Sequence, residues 1–96
     1  MASVELKSGE RGRAAFLLSD NGTRIGEMQV SESKDILTVY HTEVDQNFEG
    51  RGFAKLMLDQ MVAYARSKGL QVSPLCPYVK ASFKRDPEAY SDIWKE

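Results

Sequence analysis

With 96 residues, 42% of them hydrophobic and 28% charged, the chain has the length and composition of one globular domain, with no room for a separate substrate domain. No apolar run approaches the ~18 residues a membrane span requires, and residues 1–7 carry neither a signal-like nor an Arg-rich leader pattern, so the expected compartment is the cytoplasm. A formal net charge of −1 with both signs interspersed gives little attraction for a nucleic-acid backbone, and one cysteine with one histidine excludes an internal disulfide and a Cys/His zinc site. Nucleic acid, membrane and metal are therefore not expected partners, and the chain is expected to be a monomer or weak dimer.

In chain order, residues 1–12, with Ser8-Gly9-Glu10-Arg11-Gly12, read as a poorly ordered lead-in to a single domain over residues 13–96. Ala14-Ala15-Phe16-Leu17-Leu18 and Thr23 to Val30 flank Asn21-Gly22, whose residue types tolerate the positive φ angles of a tight hairpin. Broken alternation at Ile25, Met28 and Val30 predicts a bulge near Gly26. Ile36 to Val44, rich in β-branched and aromatic residues, reads as a third strand in an interior position.

The period then changes. Ala54, Met57, Leu58, Met61, Val62 and Ala65 form one apolar stripe of a helix over about 50–68, closed by Arg66, Lys68 and the cap residue Gly69. Leu70 to Leu75 reads as a strand returning parallel to the third, until Pro74 and Pro77 interrupt pairing. Two short helices, over 78–85 and 88–95, complete an α+β (α/β) order β-β-β-α-β-α.

The chemistry centres on the turn Glu49-Gly50-Arg51-Gly52-Phe53-Ala54, which leaves a buried strand and runs into the long helix. Two glycines let the backbone curl close to a ligand, and the first-turn N–H groups, which lack intrahelical acceptors, point outward at the positive end of the helix dipole. Such a cradle binds anions, a pyrophosphate among them. Arg51 and Lys55 could add charge there or be ordinary solvated side chains. A Walker A loop needs Gly-x-x-x-x-Gly-Lys-Ser/Thr, which is absent, and a dinucleotide fingerprint would follow the first strand of a parallel sheet, not three antiparallel ones.

The same turn resembles motif A of the GNAT N-acetyltransferases, Gln/Arg-x-x-Gly-x-Gly/Ala. His41-Thr42-Glu43-Val44, Ala65-Arg66, Pro74-Leu75-Cys76-Pro77-Tyr78-Val79 and Arg85-Asp86-Pro87-Glu88-Ala89-Tyr90 resemble a subgroup of minimal GNAT-like proteins. The resemblance implies a minimal GNAT-like fold that binds acetyl-CoA, with Val44, Glu49, Gly50, Arg51, Gly52, Phe53, Ala54, Lys55, Cys76 and Tyr78 around the cosubstrate. It also implies a pantetheine arm in a wedge between the last two long strands, and transfer of the acetyl group to an amine of unknown identity, a small molecule or a protein amino group. Two features depart from the family pattern: Glu49 stands where Gln or Arg is preferred, and the helices that help form the acceptor site in longer members are missing. A catalytically inactive CoA-binding regulator is the alternative, and a sheet-based interaction module without cosubstrate is a third class.

An amine with a pKa near 10.4 is almost wholly protonated near neutral pH, so the transfer needs a base. Glu43 and His41, on one face of the third strand, are candidates, although a strand histidine is often only a hydrogen-bonded structural group. Tyr78 could protonate the departing thiolate or simply pack on the sheet. Cys76 could carry the acetyl group covalently, or be a small buried hydrophobe.

Overall fold

The computed structural model describes residues 1–96. Five strands form one mixed sheet in the spatial order β1-β2-β3-β4-β5: β1 Ala2–Ser8, β2 Arg13–Asp20, β3 Thr23–Ser33, β4 Ile36–Val44 and β5 Gln71–Pro74. The first four pair antiparallel in sequence, and β5 pairs parallel to β4 after the crossover helix α1, Phe53–Lys68. Helices α2, Pro77–Arg85, and α3, Pro87–Tyr90, follow. The fold class expected from the sequence is the observed one.

Residues 1–12 depart from expectation. They are not a loose lead-in: Ala2 to Ser8 pair continuously with β2, and Ala2, Val4 and Leu6 alternate inward to pack on the core. The glycine-rich stretch that suggested disorder is the turn joining β1 to β2, with Arg11 and Gly12 at positive φ. At Gly12 a Cβ would stand 2.5 Å from the Glu32 carbonyl oxygen, and the Gly12 carbonyl accepts the Glu32 N–H at 2.8 Å, so this glycine lets the turn seat against β3.

The β2–β3 hairpin turns at Asn21 and Gly22, both with positive φ, as a two-residue turn of matching twist requires. The expected bulge is present: Leu18 faces Gly26 and Ser19 faces Arg24, leaving Ile25 as the extra residue. A second bulge was not foreseen. Gln29 faces His41 while Val30 faces Val39, so Tyr40 is the extra residue in β4.

Register divides the sheet into two unlike faces. Leu6, Phe16, Met28 and Thr42 lie in one row, and Val4, Leu18, Gly26 and Val44 in another, on the face that shares the hydrophobic core with Met57, Met61 and Ala65 of α1 and Val79 and Phe83 of α2. Full burial of each large apolar side chain among them, Phe16, Leu18, Met28, Met57, Met61, Val79 and Phe83, contributes roughly 1.5–3 kcal/mol. The opposite face carries Glu5, Leu17, Glu27 and Glu43 in one row and Lys7, Ala15, Gln29 and His41 in the next, with no helix over it. All three helices therefore lie on one side.

The end of the chain also differs from expectation. Only Pro87–Tyr90 is helical in the segment expected to be a helix over 88–95. Ile93 and Lys95 instead hydrogen-bond to Val72 along the outer side of β5, and Arg66 holds this segment through Asp92 and the Ala89 carbonyl. Stacking of Phe83 on Tyr90 and an edge contact to Trp94 favour this extended docking over further helix.

Candidate active site

β4 and β5 separate at Val39, and the separation is built from main-chain bonds. Val39 pairs with Pro74, the last residue of β5, and its carbonyl accepts N–H groups from both Leu75 at 3.0 Å and Cys76 at 2.9 Å. Pro74 and Pro77 have no N–H to continue the ladder, and the Tyr40 bulge bends β4 at the same level. Beyond this point β5 has turned into α2 while β4 runs on to Val44.

The Asp45 N–H bonds to the Ile25 carbonyl, which sets the alternation along β4. His41 and Glu43 direct their main-chain groups toward β3, whereas Thr42 and Val44 direct theirs to the side that β5 has left. A wedge with free donors and acceptors on one wall results. Such groups require a partner, and an extended amide-bearing ligand can supply it.

The start of α1 opens beside the wedge. Asp45 caps the single 3₁₀ turn Gln46–Phe48 by accepting the Asn47 N–H, and the chain then passes through Gly50 at φ 78° and Gly52 at φ 79°. Gly52 is the N-cap of α1, so no side chain bonds to the first-turn N–H groups, and no acidic residue lies in that turn. A Cβ at Gly50 or Gly52 would meet no protein atom within 4 Å. Positive φ is thus the internal demand for glycine, and the space in front of the amides is open to a ligand.

That space is a groove of about 280 Å³ lined by Val44, Phe48, Glu49, Gly50, Gly52, Phe53, Ala54, Lys55 and Tyr78. Of the residues expected around a cosubstrate, the structure brings together all but Arg51 and Cys76 here. Arg51 instead places its guanidinium 5.3 Å from the centre of the Phe48 ring. Lys55 is engaged with Asp59 at 3.0 and 3.1 Å, and that bond raises its pKa above the usual lysine value. None of the ion pairs in the molecule includes Glu49 or Arg51.

The four candidate catalytic side chains separate into two pairs. Cys76, the N-cap of α2, is buried, with its thiol 3.3 Å from the Thr42 hydroxyl on the helix side of the sheet. Tyr78 lies in the first turn of α2 beside the groove, and burial raises its phenol above the usual value. His41 and Glu43 lie on the helix-free face, 3.6 Å apart and both more than half exposed. A cavity of about 520 Å³ adjoins Glu43 but not His41, and is lined also by Arg24, Glu27, Asp45 and neighbouring residues at the ends of β3 and β4. The two pairs therefore stand on opposite faces of β4.

Two lining residues were not singled out from the sequence. Phe48 carries no local signal beyond being aromatic before the glycines. Thr42 was legible in principle, because strict alternation puts it in register with Val44, on the side opposite His41 and Glu43.

A mixed sheet that splits between two parallel strands, with an uncapped helix start opening beside the split, is the arrangement that the comparisons with known proteins recognise. A family model described as GCN5-related N-acetyl-transferase matches residues 14–93, and the chain belongs to that family. Among solved structures, it is similar to a GCN5-like protein from Staphylococcus aureus (23% identity, 95% of this chain and 87% of the other, TM-score 0.67). It is also similar to the ribosomal-protein-S18-alanine N-acetyltransferase of Escherichia coli (21%, 68% of this chain, TM-score 0.62), but spans only 42% of that enzyme's length. A third similar structure, a GNAT family acetyltransferase from Elizabethkingia anophelis, has acetyl-CoA bound (10%, 74% of this chain and 62% of the other, TM-score 0.64). At these identities the likeness establishes the fold. No curated protein matches the sequence significantly. No helix is long and apolar enough to cross a membrane.

Proposed function

We propose that the chain is a cytoplasmic N-acetyltransferase that takes acetyl-CoA as cosubstrate. The observation that carries this reading is the junction of two unsatisfied main-chain surfaces: the first-turn amides of α1 after Gly52, and the wedge-facing groups of Thr42 and Val44. The amides suit a pyrophosphate, and the wall of β4 suits an amide-bearing arm extending from it. Family membership supports the same cosubstrate.

In this reading the acceptor amine approaches from the helix-free face, through the cavity that borders Glu43 and contains Glu27 and Asp45. Glu43, with His41 beside it, takes one proton from the ammonium form, the freed nitrogen attacks the thioester carbonyl, and the second proton of the attacking nitrogen passes to solvent as the adduct collapses. As the carbon–sulfur bond breaks, Tyr78 gives its proton to the departing thiolate. A phenol held above its usual pKa remains protonated at neutral pH and can fill that role. Cys76 supports direct transfer over a covalent route, because its thiol is buried and bonded to Thr42 in the wall of the wedge. The acceptor is an amine, and three carboxylates against one arginine around the cavity favour a cationic one.

A second reading, a CoA-binding regulator without turnover, is favoured by one observation: the Glu49 carboxylate borders the groove without a cationic partner. The test is release of CoA thiol from acetyl-CoA with a panel of amines, run beside calorimetric binding of CoA. Amine-dependent release supports the transferase. Saturable binding with no release from any amine supports the regulator, and no binding at all removes both.

A further inference from the structure

The two edges of the sheet are treated differently. On the β5 side, Ile93 and Lys95 bond to both main-chain groups of Val72, closing that edge. On the β1 side nothing pairs, and β1 has no proline and no bulge over its register from Ala2 to Ser8. Edges left this way are templates for another strand.

Two bonds set which groups face outward. The Met1 carbonyl accepts from Asn21 and the Gly9 N–H donates to Arg13, so odd-numbered residues of β1 turn toward β2. By alternation Ala2, Val4, Leu6 and Ser8 direct their N–H and C=O groups away from the sheet. Behind this edge, an apolar groove of about 350 Å³ runs between β1 and α1, lined by Val4, Leu6, Phe16, Ala63 and Tyr64 among others.

We propose that this edge pairs with β1 of a second copy of the chain, antiparallel about a two-fold axis through Leu6, making one continuous ten-stranded sheet. Charge selects the register. Only pairings that oppose even-numbered residues satisfy the outward groups. An axis through Glu5 sets two carboxylates face to face, whereas an axis through Leu6 sets Glu5 of each copy opposite Lys7 of the other, twice. These are non-hydrogen-bonded pairs, in which side chains approach most closely. The same register sets Leu6 against Leu6 and Val4 against Ser8 on the helix side, extending the apolar layer across the groove. The closed two-fold pairing uses both free edges and stops growth.

The experiment is sedimentation equilibrium of the 96-residue protein from about 1 μM to about 1 mM, the range in which a modest interface is populated. The expected result is a reversible monomer–dimer equilibrium. Glu5→Lys and Lys7→Glu should each weaken it by about tenfold or more, since each turns two attractive pairs repulsive. The double exchange should restore it. Thermal melting of each variant, with both positions on the helix-free face, verifies that the monomer remains folded. A wild type that stays monomeric throughout, a dimer indifferent to the single changes, or a double exchange no tighter than either single change would overturn the proposal.

Discussion

The Cys76 thiol meets the Thr42 hydroxyl at 3.3 Å, joining the first residue of the α2 cap to the part of β4 that β5 has left. One side chain belongs to the helix that ends sheet pairing and the other to the strand that continues without a partner. Their contact ties the start of α2 to β4, and it gives Cys76 a structural task that does not require it to be a nucleophile.

Cys76→Ala should therefore retain turnover within severalfold of wild type and lose about 1 kcal/mol of stability, the modest loss expected for a small buried side chain. Steady-state kinetics with denaturant unfolding measures both. Intact mass spectrometry should find no acetylated enzyme after incubation with acetyl-CoA. An acetyl adduct on Cys76, with turnover abolished in the alanine variant, would establish the covalent route instead.

Gly52→Asn separates ligand from fold. Asparagine tolerates the left-handed conformation better than other side chains, so the φ of 79° costs less than about 1–2 kcal/mol. Its side chain would enter the open space before the α1 amides. The melting temperature should fall by only a few degrees, while affinity for CoA, measured by calorimetry, drops at least about tenfold, the effect of a clash costing ~1.4 kcal/mol or more.

The proton-handling residues predict different signatures. Tyr78→Phe should lower kcat by about a hundredfold or more and leave CoA binding nearly intact, as loss of a general acid would. Because burial raises the phenol, wild-type activity should show no loss attributable to Tyr78 until the pH exceeds 10.0, its ordinary value. Glu43→Gln should lower kcat by a similar factor without weakening CoA binding, since the residue stands on the face away from the groove.

Arg66 and Asp92 predict a pH effect on stability. The hydrogen bond from Arg66 holds the Asp92 carboxyl below its ordinary value of 3.8, so the folded state binds this proton less readily than the unfolded chain. The stabilisation is present above pH 3.8 and disappears as the pH falls below it. Arg66→Gln should accordingly melt below wild type at pH 7, and the gap should narrow on acidification, as followed by circular dichroism. The difference at neutral pH should be small, because both groups are exposed.

Much of the site was legible because it depends on local chemistry. Two glycines ahead of a helical stripe specify an uncapped, positive-φ entry to α1, and prolines after a short strand specify where pairing stops. The wedge was harder to see, because its second cause, the Tyr40 bulge, depends on register with β3 and leaves β-branched and aromatic content unchanged. β1 was misread for the opposite reason: Ala2, Val4 and Leu6 do alternate, but the glycines of the following turn outweighed that weak signal. The separation of Cys76 and Tyr78 from His41 and Glu43 onto two faces was beyond sequence reading, since only the assembled sheet relates α2 to β4.

The most direct test of the account is an amide-resolved NMR titration with CoA. The predicted result is saturable shifts concentrated at Gly50, Gly52, Phe53 and Ala54 and at the wedge-facing amides of Thr42 and Val44, with little change across β1 and β2. Saturation that leaves those six amides unmoved, or no response at millimolar ligand, would contradict it.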